Sequence, residues 1–512
     1  MSASLIRARH IICRVLDRHT IEMHDDAAIY QDNGIIQAIG PFAELSVRYP
    51  HVPVLGSPDH VILPGFVNSH HHVGLTPLQL GSPDHALELW FASRMGARRV
   101  DLYLDTLYSA FEMIESGITT VQHLHGWMRG GPTAIHEAVA KILGAYRDIG
   151  MRVSYSHALR DQNRLVYEAD ADFVKRLPGE LRPAMVEWFD GVSLTLDEQM
   201  ILFREIFQQY RDDPRQRIQL APANLHWCSD AALEALGDAS EEYQAPMHMH
   251  LLETAYQKEY ARRRTGTTAA RHLHELGLLG PRLTLGHGVW LNEADIELVA
   301  DTGTHICHNC SSNLRLRSGV AALNEWEARG VRAGMGLDEA GINDDRDMLQ
   351  EMRMVLRLHR EPGMDDRVPT CPQVLRMATE HGAHTTPFGD SIGVLEPGRA
   401  ADMVLIRWSQ LAYPYLDPAI PVVDAVVQRA KSEGVDTVLV AGEPILKDGR
   451  FTRVDKQAIL AELAESLSRP LTAEEEARRK LGTAVFPHVK RFYEGYLDGQ
   501  EREPFYKVSA RR

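Results

Sequence analysis

The chain has 512 residues, 44% hydrophobic and 24% charged, with a formal charge of −15 from 55 basic and 70 acidic side chains. This is the composition of a globular protein large enough for more than one domain. Its acidity and lack of a long basic run argue against nucleic acid or an anionic membrane as partner.

No apolar stretch reaches bilayer length, and the opening MSASLIRARH has no signal-peptide apolar region. A cytoplasmic protein is expected. The cysteines, Cys13, Cys228, Cys307, Cys310 and Cys371, are too scattered for a disulfide framework.

In chain order, the first stretch is short strand-like runs broken by turns, with Ile35–Gly40 following the turn signal Asp32-Asn33-Gly34. Similar runs return at Ala401–Ile406, Val422–Val427 and Val435–Gly442. One small β-sandwich domain is therefore expected from residues 1–60 together with 390–455. Between them, in residues 61–389, strands and helices alternate. The candidate strands are Val61–Asn68, Thr119–His123, Arg152–Ser156, Arg217–Pro222, Ala245–His250, Arg282–Gly286, Thr304–Cys307 and Val331–Gly336. Helical patterns lie between them, at Leu102–Ser116, Thr133–Ile149, Leu196–Tyr210, Ala255–Leu276, Glu293–Asp301 and Asp345–Arg360. This alternation predicts an α/β protein with a (β/α)8 TIM-like barrel, whose functional residues sit at the C-terminal strand ends. Residues 157–195 form a long insertion after the third strand, read either as a wall of a substrate pocket or as a solvated surface excursion. Residues 456–512 read as a helical extension packed outside the barrel or at a subunit contact.

The chemistry-bearing residues fall at those strand ends. An apolar run from Val61 to Val67 leads into His70-His71-His72. Alternation along a strand puts His70 and His72 on one face and turns His71 away. The fifth strand ends His248-Met249-His250, with Glu253 three residues beyond; His287 ends the sixth strand and Asp338 the eighth. His248 lies one pleat deeper than His250 and reads as a support for a ligand. Three neutral imidazoles and one carboxylate suit Zn²⁺, with Fe²⁺ as alternative, and leave a position for water. Such an ion lowers the pKa of a bound water from ~15.7 towards ~7. Glu253 and His287 can then move protons to the substrate and leaving group. Cys307-His-Asn-Cys310 has CxxC spacing, but with no second pair it reads as packing or a thiol pair near the site.

These motifs, in this order, resemble the amidohydrolase superfamily, in the branch holding cytosine, guanine and S-adenosylhomocysteine deaminases and the triazine hydrolases. Residues 64–72 (PGFVNSHHH) resemble that family's PGFVNxHxH, residues 250–253 (HLLE) its HxxE, and residues 285–288 (LGHG) its strand-six histidine. Residues 308–319 resemble its HNPxSNxxLxSG, residues 336–348 its GTDGxxSNNxxDM, and residues 392–406 its IGxLxPGxxADLVLI. The similarity runs from about residue 5 to about residue 445.

The resemblance implies that His70, His72, His250 and Asp338 hold one divalent ion. Glu253 would shuttle a proton to a ring nitrogen, His287 would orient or deprotonate the water, and Asp338 would share the proton traffic. The implied function is a metal-dependent hydrolase of C–N bonds other than peptide bonds, a deaminase in which hydroxide attack releases ammonia from a nitrogen heterocycle. The alternative is hydrolysis of a cyclic amide or of a ring C–Cl or C–N(alkyl) bond by the same site; a third reading is a non-catalytic barrel used for binding or assembly. Relatives imply a homo-oligomer, dimer or larger. No lysine ends the fourth strand (residues 220–228), which argues for one metal rather than a pair bridged by a carbamylated lysine.

The departures from the pattern bear on substrate. His123 stands where relatives often carry aspartate, and His123 and His125 either touch substrate or are packed polar residues. Cys310 replaces a proline, Glu339 stands where glycine is common, and Ile342 and Asp344 replace Ser and Asn. The substrate-contact candidates are His125, Trp127, Asn224, His226, His308 and Glu339. Trp90, Trp127, Trp227 and Trp290 either stack a flat ring or belong to the core, and Ser312 and Asn313 fix their loop.

Overall fold

The structure, a computed structural model, describes residues 3–72, 74–126, 128–364 and 366–499. Its centre is a ring of parallel strands: β1 (Phe66–His71), β2 (Ile118–His125), β3 (Arg152–Leu159), β4 in two pieces (Gln216–Ile218 and Ala221–Pro222), β5 (Met247–Leu251), β6 (Leu283–His287), β7 (His305–His308) and β8 (Ala333–Met335). Neighbours pair in parallel within two arcs, β1 to β4 and β5 to β8. Isolated bridges close the ring, Leu220 to Met247 and Asn224 to His250 on one side and His71 to Asp338 on the other. Strands covered on both faces read as continuous apolar runs, and β2 is buried along its whole length.

The expected strand Val61–Asn68 is two strands. His60–Pro64 belongs to a second sheet, and Phe66–His71 enters the ring. The break falls at Gly65, where a Cβ would lie 2.2 Å from Thr119 Oγ1, so only glycine lets the chain pass. That second sheet is mixed and nine-stranded. It combines Ser4–Val15, Ile21–Asp32, Ile35–Pro41, Val54–Gly56 and His60–Pro64 with Met403–Arg407, Val435–Val440, Glu443–Lys447 and Arg450–Phe451. Val422–Val427, expected as a strand, lies in the helix Val422–Arg429. Its buried positions Val423, Val426 and Val427 follow helical spacing, and Pro421 precedes the first turn. The pattern over Ala255–Leu276 is broken by Gly266 (φ +73°) into Ala255–Thr265 and Ala269–Glu275. Further helices, Asp230–Tyr243 and Cys371–Ala378, are each announced by a capping residue, Ser229 and Thr370.

The ring and the terminal sheet are clamped together by a buried bidentate pair. Arg152 Nε and Nη2 donate to Asp402 Oδ2 and Oδ1 at 2.8 and 3.0 Å, and Asp402 Oδ1 also accepts from the Ala441 amide. Asp402→Ala strands a buried guanidinium and is expected to cost roughly 3–5 kcal/mol, read as a lowered urea midpoint with the slope unchanged.

The long insertion contains helices Asp170–Arg176 and Arg182–Asp190. Together with the C-terminal helix Ala473–Tyr493 it builds a separate core from Tyr167, Phe173, Trp188, Val485 and Tyr493, packed on Ala92 and Met95. Among the described residues, no helix is long and apolar enough to cross a membrane.

Candidate active site

His70, His72, His250 and Asp338 converge at the C-terminal ends of β1, β5 and β8. The three Nε2 atoms form a triangle: His70 to His72 is 3.0 Å, His70 to His250 3.1 Å and His72 to His250 3.1 Å. Asp338 Oδ1 lies 3.2 Å from His72 Nε2 and 3.7 Å from His70 Nε2. The backbone sets the tautomers. His72 Nδ1 lies 2.6 Å from the Leu124 carbonyl, and His250 Nδ1 lies 2.7 Å from that of Ala223. A carbonyl only accepts, so both Nδ1 atoms carry the proton and both Nε2 atoms are bare. With the His70 proton on Nδ1, donated to His248 Nε2 at 2.8 Å, three lone pairs and a carboxylate face one point.

Such an arrangement repels itself unless positive charge sits among it. Burial pushes the His72 imidazolium down, yet the Asp338 carboxylate prevails and raises it. The donors present therefore fit a divalent ion of the zinc or iron kind. The buried grouping that does not share His70, namely His308, Cys310 and His359, lacks this support, since neither His308 nor His359 finds an acceptor for Nδ1 among the described residues.

Beside the triangle stand Glu253 and His287. His287 Nε2 is 3.6 Å from Glu253 Oε2 and 3.7 Å from Asp338 Oδ2. Ser318 Oγ donates to Glu253 Oε1 at 3.1 Å, Ser312 Oγ to Asp338 Oδ2 at 2.6 Å, and His287 Nδ1 to Asn313 Oδ1 at 2.8 Å. Ser312 and Asn313, expected in a loop, lie in the helix Cys310–Arg315 and fix Asp338 and His287 from there. Burial, then Asp338 and Glu88, push the Glu253 carboxyl well above the ordinary range. Burial lowers His287. Burial would also raise Asp338, but His72, His287 and the Ser312 hydroxyl outweigh it and hold the carboxyl low.

His287 (φ +74°) and Asp338 (φ +53°) both adopt the left-handed region, which costs of order 1–3 kcal/mol each and is a mark of functional positions. Gly336 makes room: a Cβ there would lie 2.6 Å from His70 Cβ.

The site opens into a pocket whose walls are mostly apolar and aromatic with a few polar side chains among them, the make-up of small-molecule sites. Of the sequence-predicted contacts, Asn224 and Glu339 line it, as do Trp90 and Trp227. Trp127 lies outside the described residues. Three candidates are corrected, none of them lining the pocket. His125 is buried against His123 (Nδ1 to Nε2, 3.2 Å), which in turn bonds the Tyr146 hydroxyl at 2.9 Å. His226 packs between Tyr167 and Trp227, with ring centroids at 4.4 and 4.3 Å. His308 pairs with His359 at 2.9 Å and meets the edge of Trp326; strand alternation turns Cys307 towards His70 and His308 the other way. Trp290 donates its indole N–H to the Ser318 carbonyl at 2.7 Å, fixing the loop that holds Glu253. His71 turns away, onto Ser109 at 3.2 Å.

The sequence reading missed Leu87, Phe91, Arg94 and Gln257, which also line the pocket, and the insertion, one of whose two readings was a pocket wall, contributes Ala158 and Arg160 at its start. Four of the wall residues come from one helix, Leu87–Arg94, whose aromatic run was the available signal. The insertion buttresses the back of that helix: Tyr167 Oη and Thr254 Oγ1 donate to Glu88 Oε1 at 3.0 and 2.5 Å.

Residues 61–445 match the profile of the amidohydrolase family. The chain is 28% identical to a 5-methylthioadenosine/S-adenosylhomocysteine deaminase of Syntrophobacter fumaroxidans, over 85% of this chain and 92% of that one. It is likewise 28% identical to a 5'-deoxyadenosine deaminase of Methanothermobacter thermautotrophicus, over 82% and 89%. Among solved structures, an adenosine deaminase from Xanthomonas campestris with bound zinc superposes with a TM-score of 0.77 at 25% identity, covering 91% of this chain and 98% of that one. The zinc complex of an atrazine chlorohydrolase from Arthrobacter aurescens TC1 reaches 0.78 at 23% identity, covering 90% and 99%, a likeness of fold.

Proposed function

The chain belongs to the amidohydrolase family, and on that footing we propose that it is a metal-dependent hydrolase that releases ammonia from a nitrogen heterocycle. The observation that carries the reading is the triangle of bare imidazole nitrogens closed by Asp338, with Glu253 and His287 at its side. His70, His72, His250 and Asp338 would hold one ion, zinc or iron. When bound, that ion supplies Lewis acidity and makes hydroxide available at neutral pH.

The rest falls to the chain's own groups. Glu253 is kept protonated by burial and neighbouring carboxylates, so it can donate to a ring nitrogen and make the amino-bearing carbon electrophilic. Ser318 holds one of its oxygens and leaves the other towards His287. His287, neutral and anchored by Asn313, presents Nε2 between Glu253 and Asp338 and can pass a proton from water to the leaving amine. Trp90, Phe91 and Trp227 offer flat apolar walls that exclude water around a ring. The same groups would serve hydrolysis of a cyclic amide or displacement of chloride or an alkylamine; product analysis separates these.

The test is ammonia release from aminopurines, aminopyrimidines, pterins and triazines by zinc-loaded protein. At least one class is expected to be turned over, with loss of activity on chelation and recovery on readdition. A metal stoichiometry near zero after purification under zinc-replete conditions overturns the reading.

A further inference from the structure

Glu339 follows Asp338 directly and lines the same pocket as Glu253. It is 8% exposed. Its Oε1 accepts from Arg94 Nη1 at 2.5 Å, and the Arg94 guanidinium lies over the Trp90 ring, 4.5 Å from the centroid. The carboxylate is therefore pinned by the helix that forms the opposite wall, and a pinned bidentate-capable pair of this kind is directional. The other oxygen, Oε2, is buried and has no hydrogen-bond partner among the described residues. An acceptor removed from water without a donor is costly and calls for an explanation. At a pocket wall, beside the groups that would do the chemistry, the explanation is a donor brought by the ligand.

We propose that Glu339 is a specificity-determining residue that accepts a hydrogen bond from a ring N–H of the substrate. The favoured substrates are then heterocycles whose amino-bearing carbon lies between a bare ring nitrogen and a ring N–H. This rests on the deaminase reading above.

Glu253 and Glu339 line the same pocket, and Glu339 follows Asp338, whose Oδ2 lies 3.7 Å from the His287 Nε2 that faces Glu253 Oε2 at 3.6 Å. On this proposal the two carboxyl groups serve one reacting position with opposite polarity. Glu253, whose hold on its proton burial strengthens, gives a proton to a nitrogen lone pair, whereas Glu339, paired with Arg94 through Oε1, offers Oε2 as an acceptor for an N–H. Guanine and isocytosine satisfy both, since the amino carbon of each has a bare nitrogen on one side and an N–H on the other. Adenosine does not: its amino carbon is flanked by a bare nitrogen and a carbon. A site built around a substrate N–H rejects analogues lacking it by as much as 10⁴–10⁵ in kcat/KM, because its own polar group is left unpaired.

The experiment uses the full-length, zinc-loaded protein carrying Glu253→Gln, so that ligands are bound without being consumed. Quenching of tryptophan fluorescence reports occupancy, since Trp90 and Trp227 line the pocket. The probes are guanine against 1-methylguanine, isocytosine against 2-aminopyrimidine, and adenosine. Guanine and isocytosine are expected to bind at least roughly 10-fold more tightly than their partners. Adding Glu339→Ala should bring those ratios near one, and adding Glu339→Gln, which keeps an acceptor oxygen, should preserve part of them. Equal binding within both pairs, a preference that survives Glu339→Ala, or tighter binding of adenosine than of guanine overturns the Glu339 assignment and leaves the deaminase reading standing. If none of the five rings binds, the Glu339 assignment falls, and ammonia release from pterins and triazines decides the deaminase reading. Zinc content and melting temperature verify the variants; should Glu339→Ala lose its zinc, the ratio in Glu339→Gln decides, an unchanged ratio counting against the proposal.

Discussion

Glu253→Gln keeps the metal and loses the reaction. The expected drop in kcat is roughly 10²–10⁴, the usual worth of a positioned general acid, with zinc stoichiometry unchanged. The substitution is nearly isosteric, and a glutamine oxygen can still accept from Ser318, which bonds Glu253 Oε1 at 3.1 Å. What disappears is a titratable carboxyl, whose hold on a proton is raised by burial and then by the neighbouring carboxylates Asp338 and Glu88. His287→Asn should fall in the same range, because asparagine cannot relay a proton between Glu253 and Asp338, which lie 3.6 and 3.7 Å from His287 Nε2. The double variant should lose little more than the worse single one, as groups acting as one relay are non-additive. Steady-state kinetics with parallel elemental analysis check this; full activity in either single variant removes the assigned role.

The second large effect is loss of the ion itself. His250→Ala opens the triangle of Nε2 atoms, in which His250 stands 3.1 Å from both His70 and His72. Loss of an outer partner of a ligand costs about 10–100-fold in metal affinity, so loss of a ligand should exceed roughly 100-fold. Stability should follow by mass action. A protein carrying its ion at a hundred times Kd gains about 2.7 kcal/mol over the stripped form, so chelation should lower the melting temperature of the wild type and leave that of His250→Ala unmoved. His308→Ala is the contrast, since His308 bonds His359 at 2.9 Å and stands apart from the pocket; zinc content should survive it. A variant His250→Ala that retains stoichiometric zinc contradicts the proposed ligand set.

Much of this site was legible because it is written locally. His70 and His72 are two residues apart at one strand end, and Glu253 lies three beyond His250, so strand alternation and one turn of chain orient each group without knowledge of the rest. Two substrate-contact expectations fail for different local reasons. His308 is on a strand whose inward face its neighbour Cys307 holds, and His226 lies in a turn that presents the adjacent Trp227 to the pocket instead. Val422–Val427 shows a different failure, since a short valine-rich run is strand-like by composition and helical by the spacing of what it buries.

The amino-acid sequence by itself determined the kind of chemistry proposed: the candidate ligand types, their order, the carboxyl and imidazole beside them, and the alternation of strands and helices that collects them at one end. Only the tertiary structure decided the shape that chemistry acts on. Arg94 and Glu339 are 245 residues apart and meet across the pocket, and the helix Leu87–Arg94 turns Leu87, Trp90, Phe91 and Arg94 inward because the insertion and the C-terminal helix pack against its back. Backbone period sets which way a strand residue points, whereas a wall assembled from distant elements depends on how whole layers pack, which no local pattern encodes.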